Sequence, residues 1–162
     1  MTEEYELKKA RNYISTLFSK RSYTRKEISD KLKRKKYEAE VIEAIVREFE
    51  ALGYLNDGRY ARAYAADSKN FRSAGKKLVQ MKLLQKGVDK GIIANALEYA
   101  YKDTDEFKMA YELAERRYKN YKKKDKVKEA KRMQGFLVRR GYNFDTALKV
   151  IKKLMKDVYY EE

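Results

Sequence analysis

Thr24-Arg25-Lys26-Glu27-Ile28-Ser29-Asp30-Lys31-Leu32 and, nine residues on, Val41-Ile42-Glu43-Ala44-Ile45-Val46-Arg47-Glu48-Phe49-Glu50-Ala51-Leu52-Gly53 carry the signals that decide the fold. Thr24 followed three residues later by Glu27 is a capping box: the hydroxyl accepts a late backbone N–H while the carboxylate reaches back to the Thr24 N–H. Ile28 and Leu32 then stand four apart, on one face of the helix that the box starts. Val41, Ile42, Ile45, Val46, Phe49 and Leu52 recur at the spacing of a single helical stripe. Gly53 follows as a C-terminal stop.

The same pattern returns twice. Leu32, Leu83 and Leu137 are 51 and 54 residues apart. Four positions before them stand Ile28, Val79 and Met133; four positions after come Lys36, Gly87 and Gly141, followed at once by Tyr37, Val88 and Tyr142. Ten residues beyond each leucine is Ile42, Ile93 or Ala147, and four further on Val46, Leu97 or Ile151. Each copy reads as a first helix, a second helix, a tight turn and a third helix. The first helices carry Tyr13, Ile14 and Leu17, then Tyr60, Ala61 and Tyr64, then Ala110, Leu113 and Ala114. Asp57, Asp89 and Asn143 sit where N-caps are wanted. Gly87 and Gly141 suit a left-handed turn that a Cβ would strain; Lys36 breaks that pattern, so a different turn is expected there. The expected fold is all-α: three tandem three-helix repeats, 1–55, 56–103 and 104–162, in an elongated, curved array.

Composition agrees. Pro is absent and Gly is limited to 7 of 162 residues, too few turn formers for a sandwich or barrel. With 40% charged residues the helices have long solvated faces, and 43% hydrophobic residues are enough to build a core. Neither Cys nor His occurs, which removes disulfides, the usual zinc sites and the common catalytic triads. Carboxylates alone could hold magnesium, but no glycine-rich phosphate loop of either common pattern is present. The expectation is a non-enzyme with no cofactor and no metal. The acidic start Met1-Thr2-Glu3-Glu4 lacks an apolar run and no stretch approaches about 18 apolar residues, so a cytoplasmic protein without a membrane role is expected.

The net charge of +15 points to a polyanionic partner. It is concentrated: +7 from Lys20 to Lys36, +6 from Lys69 to Lys86 and +8 from Arg116 to Arg132. Each window falls before or on the second helix of its repeat, the third lying earlier than the others. Such runs are either solvated helix faces or a surface turned to nucleic acid or a nucleoprotein, and their coincidence with the repeat favours the latter. Tyr118 and Tyr121 lie among the third window's lysines, where rings can stack on unpaired bases; helical spacing favours packing on the core. Arg139 and Arg140 can donate to phosphates, but cations are also favoured near a helix C-terminus.

Four stretches resemble the RecX family, modulators of the RecA recombinase. They are Ser22-Tyr23-Thr24-Arg25-Lys26-Glu27-Ile28 leading to Lys31-Leu32, the more specific Leu52-Gly53-Tyr54-Leu55-Asn56-Asp57-Gly58-Arg59-Tyr60-Ala61, Leu83 to Gly87-Val88, and Phe136-Leu137-Val138-Arg139-Arg140-Gly141-Tyr142. The resemblance spans nearly the whole chain. It implies three tandem three-helix repeats and a protein that binds RecA–DNA filaments, restraining filament growth, ATP hydrolysis, strand exchange and co-protease activity; a monomer is expected. It supplies no catalytic residues. The expected partners are the RecA filament and the single-stranded DNA within it, with weaker binding to naked DNA. A general nucleic-acid binder and a helical scaffold remain as alternatives. From charge alone, the expected contact residues are Lys20, Arg21, Arg25, Lys33, Arg34, Lys35, Lys76, Lys77, Lys122, Lys123, Lys124, Arg139 and Arg140.

Overall fold

A computed structural model describes residues 2–120 and 125–160. Among them are nine α-helices and no strand: α1 (Glu3–Phe18), α2 (Arg25–Arg34), α3 (Ala39–Ala51), α4 (Asp57–Arg72), α5 (Lys76–Gln85), α6 (Lys90–Tyr101), α7 (Glu106–Tyr118), α8 (Lys126–Arg139) and α9 (Phe144–Tyr160). They form three helix triplets in tandem. The chain divides into two compact units, Met1–Ala63 with Leu83–Ala96 and Tyr64–Lys82 with Leu97–Glu162.

In the first unit, α1 and α2 both pack on α3. Ile14, Ile28, Leu32 and Ile45 are fully buried there, with Val46 and Phe49 beside them. Each such aliphatic side chain withdrawn from water stabilises the fold by about 1.5–3 kcal/mol. Leu52, read from its spacing as part of the α3 stripe, is instead 62% exposed. It is the C-cap residue, where the backbone leaves the helix and the stripe ends. In the second unit α7 and α8 pack on α9 around Met133, Leu137, Ala147, Val150 and Leu154. Tyr118 is buried in that cluster, so its ring belongs to the core and offers no stacking platform.

The tight turns are more alike than the residues suggest. Lys36 takes φ +63°, matching Gly87 at +75° and Gly141 at +94°. In each turn the left-handed residue donates its N–H three residues back, and its successor donates five residues back: Lys36 to Lys33 and Tyr37 to Leu32, Gly87 to Leu84 and Val88 to Leu83, Gly141 to Val138 and Tyr142 to Leu137. This is the paired bonding of a Schellman cap. The expectation of a different turn at Lys36 is therefore corrected. Lys36 is exposed and carries only the conformational cost. A Cβ on Gly87 would meet the Lys26 side chain, and one on Gly141 would stand 2.5 Å from Leu78 Cβ. In the later repeats the turn presses on the second helix of the repeat before, and only glycine fits.

That pressing contact has a fixed form. In the first unit the buried Thr24 donates its hydroxyl to the Lys86 carbonyl at 2.7 Å. In the second unit the corresponding residue, Gly75, donates its N–H to the Arg140 carbonyl at 2.8 Å. A second bond accompanies each. Asp57 Oδ1 accepts from the Arg25 N–H at 2.9 Å, and Glu106 Oε1 accepts from the Lys76 N–H at 3.1 Å. These carboxylates satisfy the first free N–H of α2 and of α5, one of the orphan donors every helix start leaves. Asp57, placed by its sequence as the N-cap of α4, thus serves another helix. Asn56 caps α4 by accepting from the Arg59 N–H at 2.9 Å, as Asp105 caps α7 by accepting from the Lys108 N–H at 3.0 Å. Asp89 and Asn143 accept from Gly91 and Thr146, as expected. Asn56 and Asp57, adjacent in sequence, thus serve two different helices.

Candidate functional site

The cations expected to face a polyanion fall into two groups once their surroundings are known. In the first unit Arg21 lies 3.8 Å from the Tyr23 ring centre and 3.4 Å from Glu27, and Arg25 pairs with Glu50 at 3.1 Å. Both charges are answered within the protein. Lys20, Lys33, Arg34 and Lys35 are exposed. Arg34 spends one donor on the Asp30 carbonyl at 3.3 Å, and Lys35 Nζ stands 5.3 Å from the Tyr13 ring centre. Lys33, Arg34 and Lys35 are consecutive at the end of α2, so helix geometry spreads them over more than one face. Lys33 and Arg25 border a shallow groove of about 420 Å³ between α2 and α3 that Glu43 also lines.

In the second unit Lys76 is held by Glu106, with Nζ 3.9 Å from the carboxylate and its N–H capped by it. Lys77 and Arg139 are exposed. Arg140 is half-buried, its Nε is without a hydrogen-bond partner among the described atoms, and its carbonyl holds Gly75. It is therefore partly a structural residue. Lys122, Lys123 and Lys124 lie outside the described residues. Three exposed cations from the same charged windows, Lys82, Lys131 and Arg132, belong beside those named from the sequence.

Two other window residues are wholly occupied by the fold. Lys69 Nζ donates to the Ala100 carbonyl at 2.6 Å and lies 3.3 Å from the Thr104 hydroxyl. Lys86 pairs with Glu27 at 3.0 Å. Burial would raise the Glu27 carboxyl, but the Thr24 N–H, Lys86 and Arg21 outweigh it and hold the group below its ordinary value. Asp57 shows the opposite balance: burial, reinforced by Glu50 and Glu27, raises it despite the Arg25 N–H and the Arg25 charge. Burial also raises the phenols of Tyr101 and Tyr142, which donate to the Ala74 and Ser73 carbonyls at 2.5 and 2.7 Å.

These arrangements suit phosphate binding and ion pairing. Among the described residues no group of three or more carboxylates could hold a metal ion, and no helix is long and apolar enough to cross a membrane. Guanidinium and ammonium groups on helix ends can neutralise phosphates without reading bases, because sequence readout needs side chains directed at base edges.

Comparison with known proteins matches three family domains in order along the chain. They are the RecX first three-helix domain at residues 10–49, the second at 56–97 and the third at 103–151. Regulatory protein RecX of Clostridium perfringens (strain SM101 / Type A) is 32% identical, over 99% of this chain and 76% of that relative. Regulatory protein RecX of Clostridioides difficile (strain 630) is 28% identical, over 94% of this chain and 71% of the relative. The crystal structure of RecX from Lactobacillus salivarius superposes with a TM-score of 0.75 at 25% identity, covering 93% of this chain and 97% of that one. A second crystal structure, of regulatory protein RecX, gives a TM-score of 0.79 at 22% identity, over 91% of this chain and 73% of that one, and supports the fold.

Proposed function

The chain belongs to the RecX family of regulatory proteins, and on that footing we propose that it binds RecA–DNA filaments and restrains them. The restraint falls on RecA's recombinase, ATPase and co-protease activities. The match of all three family domains, in order and over most of the chain, is the observation that carries this. The partner is a polymer of protein and single-stranded DNA inside a cytoplasm, and this chain acts on it as a monomer without catalysis of its own. Exposed cations supply attraction to phosphate: Lys20, Lys33, Arg34 and Lys35 in one unit, Lys77 and Arg139 in the other. Lys122, Lys123 and Lys124 add three charges close by in sequence to α8. Arg21, Arg25 and Lys76 contribute less, because each is already paired with a carboxylate.

The charge of +15 also favours a second reading, a general nucleic-acid binder. The two differ in their response to salt. Binding through phosphates alone falls steeply as salt rises, by roughly 0.7 log units of affinity per log unit of salt for each single-strand phosphate contact. Fluorescence anisotropy of a labelled single-stranded oligonucleotide, bare or coated with RecA, separates them. A filament regulator keeps its affinity for the coated strand at salt concentrations that abolish binding to the bare one. Equal affinity and equal salt slope for both would favour the general binder.

A further inference from the structure

The third repeat carries a groove that its basic surface does not account for. It runs between α8 and α9, has a volume of about 590 Å³, and is contained within the second unit. Val127, Leu148, Ile151 and Met155 form its apolar lining. Val127 is 67% exposed, while Leu148 and Met155 are half-buried. Lys126, Lys131, Lys152 and Lys156 stand around it, and among the described residues no acidic one lines it. Lys131, Lys152 and Lys156 are exposed, and none has a carboxylate partner among the described residues.

The repeat itself provides an internal control. The register that aligns Leu32 with Leu137 puts Ala130, Gln134 and Leu148 where the first repeat has Arg25, Ser29 and Glu43. In the first repeat the equivalent groove holds both signs of charge and is smaller, about 420 Å³. An arginine has become an alanine and a glutamate a leucine. The third repeat's groove has lost its internal counter-charge and gained apolar surface, while its lysines stand at the border. A core position has no need of a lysine rim, and a merely solvated face has no need of an exposed valine beside half-buried leucine and methionine.

We propose that this groove docks an acidic amphipathic helical segment of a partner protein. Apolar side chains spaced three or four residues apart would enter the groove, and flanking Asp or Glu would meet the lysines. The unbranched thioether of Met155 adapts to different apolar side chains at little cost. Charge complementarity selects an acidic partner over a neutral one and speeds the encounter. Nucleic acid fits less well: among the described residues the lining has no aromatic ring for stacking and no arginine, and aliphatic walls offer a phosphodiester nothing. A bilayer fits less well too, because membrane-bound helices bury a projecting apolar face rather than a recessed one. This inference does not depend on the filament reading.

The test is fluorescence anisotropy with a fluorescein-labelled amphipathic peptide bearing leucines on one face and glutamates on the other, titrated with the full chain. Two variants divide the contributions: Val127→Asn with Met155→Gln removes apolar surface without changing charge, and Lys131→Glu with Lys152→Glu reverses the rim. The second pair is exposed, so it keeps the test decisive should the first reduce stability; thermal melts monitor both. The expected result is saturable binding that weakens about tenfold in each variant, the loss matching about 1.4 kcal/mol of apolar or ionic contact. A peptide with lysines in place of glutamates does not bind. Absence of saturable binding, or an affinity in both variants unchanged from that of the parent chain, overturns the proposal. So does an oligonucleotide or a phosphatidylserine vesicle whose binding falls on the Val127→Asn, Met155→Gln change as far as the peptide's, since the groove would then serve nucleic acid or lipid.

Discussion

Replacing Gly75 with alanine separates packing from backbone conformation. Gly75 is buried, and it does not adopt the left-handed backbone that Gly53, Gly87 and Gly141 share. By conformation alone, Gly75→Ala would stabilise the protein by about 0.4–1 kcal/mol, through a less flexible unfolded chain. Packing says the opposite. A Cβ there would press on the Gly141 carbonyl oxygen, 2.5 Å from Gly141 C and 2.7 Å from the Tyr142 N. All three are backbone atoms, so no side chain can swing aside. The end of α8 would have to retreat by about 1 Å to reach ordinary contact, which costs about 1–3 kcal/mol as overpacking. That retreat also stretches two hydrogen bonds, Gly75 N–H to Arg140 O at 2.8 Å and Lys77 N–H to Gly141 O at 3.2 Å, each worth about 0.5–1.5 kcal/mol net. The turn cannot follow freely, because the Tyr101 and Tyr142 phenols grip the Ala74 and Ser73 carbonyls immediately before it. Set against the conformational gain, the net loss is about 1–5 kcal/mol. Gly53→Ala is the matched control: φ is +75° but nothing lies within 4 Å of its Cβ, so only the left-handed cost of about 1–2 kcal/mol applies. Urea unfolding followed by far-ultraviolet circular dichroism ranks the two. Gly75→Ala should cost clearly more than Gly53→Ala; a neutral or stabilising Gly75→Ala would refute the close backbone approach.

Lys36→Gly should stabilise the chain by about 1 kcal/mol, since an exposed lysine at φ +63° gives up the left-handed strain; a loss in urea unfolding would show that the side chain contributes more than its conformation costs. Glu27 is held below the ordinary glutamate value of 4.5, so its ionised form favours the fold: the contribution is complete above that value and disappears as pH falls through the lowered one. Glu27→Gln should accordingly cost about 1 kcal/mol at neutral pH and converge with the parent in acid, and a constant deficit from neutral pH into acid would contradict this. Tyr142 has the reverse sign. Its phenol is raised above the ordinary value of 10.0, so its share of stability is intact below pH 10.0 and is lost as pH rises beyond it, a loss that Tyr142→Phe should lessen in alkaline melts. Reversing Lys122, Lys123 and Lys124 to Glu should weaken RecA-filament binding without changing helicity; unchanged binding with intact helicity would remove this cluster from the filament contact.

The helices and their order were legible because each repeat's apolar spacing is unambiguous: Ile28 with Leu32, Val79 with Leu83, and Met133 with Leu137 are all buried. Thr24 and Glu27 announced their capping box correctly, and both of its bonds form. What spacing does not encode is which helix a short polar side chain serves. Asp57 was placed on the helix it begins, whereas its carboxylate caps α2, 32 residues earlier in the chain. Nor does residue type settle a turn: at Lys36 two Schellman hydrogen bonds and a half-buried Tyr37 outweigh the strain of a Cβ. Charge counting located the basic windows but could not sort them. Lys69 and Lys86 spend their charge on a carbonyl and on Glu27 inside the fold, while Lys77 and Arg139 remain exposed. The α8–α9 groove is carried by no motif; its meaning lies in a comparison of repeats, Leu148 against Glu43 and Ala130 against Arg25.

The most direct test of the central claim is ATP hydrolysis by preformed RecA filaments on single-stranded DNA, titrated with this protein. Inhibition well below one copy per RecA monomer is expected, which competition for naked DNA does not produce. Unaltered hydrolysis, even with excess protein at low salt, would contradict it.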